Sequence, residues 1–192
     1  TPSATKRGVQ SFPLAVDGTL YYTSASGQVW ALDGATGAVQ WRYAAKLDQE
    51  RSEGTFYNPY NRGIAVGYGH VYMGTTDGRM IAIDANTGKY IGHFGAYGNN
   101  TVDDAAAAAS GTWIADYTKG NKKPAFFRNP VHCVKISNDG KIYVCDRGND
   151  RIQVFDKNSP ELGKPCSNPT GQAGKCGFVT EQLISEHTNT NI

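Results

Sequence analysis

The side chains able to do chemistry are few and scattered. Four cysteines, Cys133, Cys145, Cys166 and Cys176, are even in number and show neither a Cys-x-x-Cys metal spacing nor a Cys-x-x-Cys-His haem attachment. Cys166 and Cys176 bracket a polar, glycine- and proline-containing loop, where a disulfide restricts a floppy segment at little strain. If Asn138-Asp139-Gly140 is a three-residue turn, Cys133 faces Cys145 across a hairpin, either bridged or as two buried thiols. Disulfides need an oxidising compartment, which implies a periplasmic or secreted protein. His70, His93, His132 and His187 share no spacing that would put two on one strand face, and are expected at turns and on the surface. Asp103-Asp104 is either a cation-binding pair or simply solvated, and Asn99-Asn100-Thr101 fits a glycosylation sequon. No Gly-x-Ser-x-Gly elbow or phosphate loop is present.

The elements that must carry these residues announce themselves by repetition. Ala31-Leu32-Asp33-Gly34-Ala35-Thr36-Gly37-Ala38-Val39-Gln40-Trp41 is echoed 51 residues on as Ala82-Ile83-Asp84-Ala85-Asn86-Thr87-Gly88-Lys89-Tyr90-Ile91-Gly92. Gly18, Tyr21 and Gly27 fall over Gly69, Tyr72 and Gly78 at the same offset. A repeat of this period points to stacked or radial supersecondary units, because one unit cannot bury its apolar face alone. Within the unit, short β-branched and aromatic runs alternate with Asp-Gly and Ser-Gly turns, which predicts four antiparallel strands per unit and hence a β-propeller blade.

A third unit follows in different spelling. Val131 to Ile136, Lys141 to Asp146 and Arg151 to Asp156 keep the rhythm, and Gly140 and Tyr143 stand where Gly69 and Tyr72 stood, 71 residues earlier. The surplus falls between Gly98 and Lys123 and reads as an insertion, with Ala105 to Ala109 either a short helix started by the acidic pair or a surface loop. The organisation is therefore two blades over residues 1–98, an insertion or linker over 99–125, and a third blade with a Cys-bracketed loop and a polar tail over 126–192. The expected class is all-β, with about three propeller blades in an incomplete ring. Because propellers close with roughly four to eight blades, the expected partners are remaining blades, from the same longer chain or from another subunit. The chain starts at Thr1, which suggests a processed protein or a piece of a longer one. A net charge of +2 with no basic stripe excludes a nucleic-acid partner, and no run approaches the length of a membrane span.

The phrase Ala-x-Asp-x-x-Thr-Gly-x-x-x-Trp resembles the blade signature of quinoprotein alcohol dehydrogenases, eight-bladed propellers that use pyrroloquinoline quinone (PQQ). Ser11-Phe12-Pro13-Leu14-Ala15-Val16-Asp17-Gly18 is similar to that family's first-blade entry, and Asn61-Arg62-Gly63-Ile64-Ala65-Val66 to its Asn-Arg-Gly segment, so the likeness covers about residues 8–95. It implies that Trp41 packs laterally on the next blade, a contact that Gly92 lacks. Residues 127–157 resemble instead an NHL repeat, another propeller unit, through Asp139 to Asp156.

The resemblance also implies a cofactor site. Arg62 matches the family's quinone-contacting arginine, and a guanidinium forks readily onto a quinone oxygen or carboxylate. Gln10 stands at the family's glutamate position, Phe56-Tyr57 at its adjacent cysteine pair, and Asn58 at the acidic residue that follows. The quinone-covering disulfide ring is thus replaced by two aromatic rings able to cover a flat cofactor. The alternative role for Arg62 is structural, binding backbone carbonyls near the propeller axis. With two of three cofactor features changed, these substitutions favour a ligand- or protein-binding scaffold with a degenerate quinone site. The alternative is part of a periplasmic PQQ-dependent alcohol dehydrogenase that oxidises small alcohols, with calcium or a lanthanide beside the quinone.

Overall fold

In a computed structural model of the chain, residues 10–24, 27–47, 61–99, 127–128, 130–158, 166, 168 and 171–183 are described. They form three four-stranded antiparallel sheets. The first comprises β1 (Leu14–Val16), β2 (Thr19–Ser24), β3 (Gln28–Asp33) and β4 (Val39–Ala44) in that order. The second comprises β5 (Ile64–Gly67), β6 (His70–Gly74), β7 (Met80–Asp84) and β8 (Tyr90–Phe94). The third comprises β9 (Cys133–Ile136), β10 (Lys141–Asp146), β11 (Arg151–Asp156) and β12 (Phe178–Leu183). These are three propeller blades, as the repeat predicts.

Each blade is closed by local chemistry that the sequence spells out. Val16 pairs with Thr19 and Gly67 with His70, leaving two-residue loops. Asp17 and Gly18 sit at φ +48° and +76°, Tyr68 and Gly69 at +54° and +77°, the double positive φ of a type I′ turn. At the next turn Asp33 Oδ1 accepts hydrogen bonds from the Ala35 and Thr36 amides and the Thr36 hydroxyl at 3.1, 2.7 and 2.7 Å. Asp84 repeats this with Asn86 and Thr87 at 3.0, 2.8 and 2.8 Å. These bonds, the Thr hydroxyl first, hold both carboxyls below the usual carboxylate range.

The third blade keeps the frame and changes the filling. In all three blades the carbonyl of the hairpin glycine accepts the amide that follows the strand-ending Asp: Gly34 to Gly18 at 2.7 Å, Ala85 to Gly69 at 2.9 Å and Lys157 to Gly140 at 3.0 Å. The Asp amide in turn donates to Ala38, Lys89 and Gly177, each at 2.8 Å. Residues 34–38 and 85–89 fill that frame in the first two blades, and residues 157–177 fill it in the third. The Cys166–Cys176 disulfide lies within this excursion, with Cα atoms 5.8 Å apart. The strand beyond it, β12, was not foreseen from the sequence, where the segment reads as loop and tail.

The blades are joined by two apolar seams. Tyr21, Val29, Ala31 and Trp41 of the first blade pack with Ile64, Val71, Met73, Ile81, Ile83 and Ala85 of the second. Trp41 does what the resemblance implies: its indole N–H donates to the Ala85 carbonyl at 2.9 Å, and its ring lies over Gly88, where a Cβ would come within 2.7 Å. At the second seam, where Gly92 replaces the tryptophan, Phe94, Phe127, Phe155 and Phe178 fill the space, with Phe94 and Phe155 centroids 4.8 Å apart. Among the described residues, no further blade packs on the outward faces of the end blades. Tyr22 and Trp30 occupy the register of the buried Met73 and Ile81, yet are only partly buried and stack on each other at 6.2 Å. The Trp30 indole N–H has no acceptor among the described residues. Tyr143 of the third blade, in the register of the fully buried Tyr72, is 38% exposed.

Candidate functional site

Antiparallel order puts the beginnings of β1, β5 and β9 at one end of the blades, together with the β6–β7 and β10–β11 turns. Arg62 is fixed there by its neighbours. The buried Asn61 donates its side-chain amide to the Gly74 carbonyl at 2.9 Å and accepts the Gly63 amide at 2.8 Å. Asn61, not Arg62, therefore does the carbonyl binding expected of a structural residue. Arg62 is exposed and makes no hydrogen bond or ion pair among the described residues. A Cβ added at Gly63 would lie 3.9 Å from the Ser11 side chain, so the segments that carry Gln10 and Arg62 pass near each other on the way into β1 and β5. Gln10 is also exposed. Phe56, Tyr57 and Asn58 lie outside the described residues, as do Asp103-Asp104, Ala105 to Ala109 and His187.

The third blade brings more groups to this end than the sequence predicts. The Val131 amide donates to the Thr75 carbonyl at 3.1 Å, and the His132 amide to the Cys145 carbonyl at 3.0 Å. His132 is thus brought into the neighbourhood of Arg62 and of Arg147, the first residue after β10, and both charges act on it. Burial and then the two guanidiniums hold the His132 pKa below the usual imidazole range. Cys133 and Cys145 pair across β9 and β10 and are joined by a disulfide, with Cα atoms 4.9 Å apart, rather than left as thiols. The half-buried His132 and His93 correct the expectation of turn and surface histidines: His93 lies within β8, where burial and then Arg79 lower its pKa.

The carboxylates at this end are engaged. Asp77 binds the Arg79 Nε at 3.0 Å, and Arg79 Nη2 reaches back to the Lys46 carbonyl at 2.7 Å. Asp146 and Arg151 have no exposed side-chain surface and meet at 2.7 Å. Asn149 at 2.8 Å and the Arg128 amide at 2.9 Å complete the Asp146 shell. Burial pushes the Asp146 carboxyl up and these donors oppose it. Arg151 Nη1 also reaches the Tyr97 hydroxyl at 2.7 Å, which donates to Glu181 at 3.0 Å. The Asn99 of the sequon is buried, its side-chain amide donating to the Ala96 carbonyl at 2.8 Å, so this structure does not offer it for glycosylation. No group of three metal-ligating side chains occurs among the described residues, and no described helix is long and apolar enough to cross a membrane.

Comparison with known proteins fixes the lineage of this arrangement. Residues 1–161 match the PQQ family described as the glucose/ethanol/alcohol dehydrogenase β-propeller domain. The chain is 43% identical to quinohemoprotein alcohol dehydrogenase ADH-IIG of Pseudomonas putida over 83 residues, 43% of this chain and 12% of that protein. It is 41% identical to the 1-butanol dehydrogenase (cytochrome c) of Thauera butanivorans over 85 residues, 44% of this chain and 12% of that one. The solved ADHIIG structure from Pseudomonas putida HK5 superposes with a TM-score of 0.58 at 29% identity, over 85% of this chain and 20% of that chain. Quinohemoprotein alcohol dehydrogenase from Comamonas testosteroni gives 0.55 at 26% identity, over 79% and 20%. The chain spans about an eighth of the length of these curated relatives. Both are dehydrogenases by name, which supports the enzyme alternative above the scaffold reading that the substitutions favoured. With five-sixths of its length inside the family match and its blades superposing on solved members, the chain belongs to the PQQ-dependent alcohol dehydrogenase β-propeller family.

Proposed function

We infer that this chain supplies blades of a PQQ-dependent alcohol dehydrogenase, with PQQ and a calcium or lanthanide ion as cofactors. The observation that carries this reading is Arg62: the bonds of Asn61 hold the segment in place while the Arg62 side chain stays exposed and unengaged among the described residues, with Gln10 also exposed on the neighbouring segment. A structural arginine would be saturated, whereas this one is presented. PQQ carries three carboxylates and a quinone, and an unpaired guanidinium with a neutral amide beside it fits such a group. Arg62 would hold an acidic oxygen, Gln10 would donate a hydrogen bond, and Phe56 or Tyr57 would cover the ring in place of the family's cysteine pair. When bound, PQQ would supply the capacity to accept hydride or its equivalent from an alcohol, and the metal ion would supply Lewis-acid polarisation. No group of three metal-ligating side chains occurs among the described residues.

The uncovered faces of the end blades support further blades as partners, from the same longer chain or from another subunit. Tyr22 with Trp30, and Tyr143, stand in registers that are buried wherever a blade follows or precedes. The two disulfides support an oxidising compartment, periplasmic or secreted. The NHL-like spelling of residues 127–157 is read as a blade of the same propeller, written around the Asp146–Arg151 pair.

Reconstitution tests the reading. Protein purified with PQQ and calcium, or with a lanthanide, is expected to retain the quinone absorbance through gel filtration and to reduce an artificial dye on addition of small alcohols. Loss of quinone on the column under every metal condition would end it.

A further inference from the structure

We propose that Arg147 and His132 of the third blade join Arg62 of the second in one cationic seat for the carboxylates of an aromatic polyacid, which in the reading above is the quinone. That identification rests on the proposed function, but the seat rests on geometry. Three hydrogen bonds to backbone carbonyls, the first from a side-chain amide and the others from backbone amides, bring the residues together. Asn61 binds the Gly74 carbonyl at 2.9 Å, Val131 binds the adjoining Thr75 carbonyl at 3.1 Å, and His132 binds the Cys145 carbonyl at 3.0 Å. The steps from residue 62 to 132 to 147 are thus set by one side-chain-to-backbone bond and two backbone bonds outside the strand ladders. The Cys133–Cys145 disulfide locks the last step from the side.

The charges in this corner are unanswered. Arg62 and Arg147 are exposed and neither side chain has a hydrogen bond or ion pair among the described residues. The two buried carboxylates at this end are committed, Asp77 to Arg79 and Asp146 to Arg151. The groups facing His132 are therefore two guanidiniums, whose repulsion adds to burial in keeping the ring neutral. Two like charges held near a third titratable group raise the free energy of the empty corner, and an anion with two or more carboxylates relieves it. Arg147 offers a forked donor set, and His132 offers one N–H, with a second once an anion restores its proton. The seat spans two blades, so a ligand in it also bridges the second seam.

Equilibrium dialysis of the chain against free PQQ without metal, read by quinone absorbance, tests this in the wild type and in R62Q, R147Q, R147K and H132Q. Calorimetric titration with benzene-1,3,5-tricarboxylate runs beside it. The seat predicts that R147Q weakens PQQ binding by about tenfold or more, the loss of a hydrogen bond to a charged group. R147K should recover part of it, and H132Q should weaken binding most at acidic pH. Thermal midpoints of the exposed-arginine variants should stay at the wild-type value. PQQ binding that falls in R62Q but is unchanged in R147Q and H132Q overturns the seat and leaves the proposed function standing. Tricarboxylate binding lost in R147Q, with no PQQ binding at all, upholds the seat and sinks the quinone reading. Binding of neither ligand overturns both.

Discussion

Gly88 and Gly18 have nearly the same left-handed backbone, φ +68° and +76°, but different surroundings. An added Cβ meets nothing within 4 Å at Gly18 and the Trp41 ring at 2.7 Å at Gly88. Conformational strain alone costs either alanine variant about 1–2 kcal/mol. Overpacking against Trp41 adds about 1–3 kcal/mol to G88A only. Urea unfolding should therefore separate the two, and W41A should abolish the difference in a double-mutant cycle. Equal losses for G18A and G88A would show that the indole is not seated as described. Asp33 and Asp84 make a second residue-level prediction. Their folded pKa values are lowered by bonds to Thr36 and Thr87. Their contribution is present above the unfolded value of about 3.9 and lost as pH falls through the lowered folded values. The stability gap between wild type and D33A/D84A should then close on acidification across that window and stay constant above pH 5.

At the scale of the element, the third blade depends on a polar cluster where the first two depend on glycine-threonine turns. Replacing Arg151 by Met strands the Asp146 carboxylate with no exposed side-chain surface, and the expected loss is about 3–5 kcal/mol. The further change D146L should return part of that loss, since an apolar pair needs no partner. A chemical-denaturation series on the single and double variants checks both statements. Much of the blade architecture was legible from Gly18, Gly69 and Gly140 and from the Asp-x-x-Thr-Gly phrases, because turn chemistry is local and period-bound. The strand Phe178–Leu183 was not, because the excursion over residues 157–177 separates it from its partner β11 and breaks the repeat spacing. Arg62 and Gln10 were legible only through resemblance. His132 and Arg147 were missed for a physical reason: their approach to Arg62 comes from bonds between blades, about seventy and more residues apart in the chain, and leaves no periodic trace.

For the whole molecule, the seams determine behaviour. The first seam is built on Trp41 and the second on a phenylalanine group, so adjacent blades are joined by different chemistry on one backbone frame. The end faces have no such partner among the described residues. Tyr22 and Trp30 on one side and Tyr143 on the other present aromatic surface of the kind buried at both seams. Sedimentation velocity of the chain alone should show a weight-average mass that rises with concentration, and Y22S/W30S should reduce the rise. A mass independent of concentration in the wild type would show that these faces are inert without their proper neighbour.

The paired bonds that frame each blade's third turn, from the hairpin glycine carbonyl and to the strand-ending Asp amide, hold to within 0.3 Å whether residues 34–38, 85–89 or 157–177 lie between them. That frame behaves as a cloning port. Epitopes or small binding loops grafted between Asp33 and Val39, or between Asp84 and Tyr90, would inherit an anchorage that already tolerates a fourfold change in length. They would emerge at the end of the blades opposite Arg62, leaving that corner free for assay.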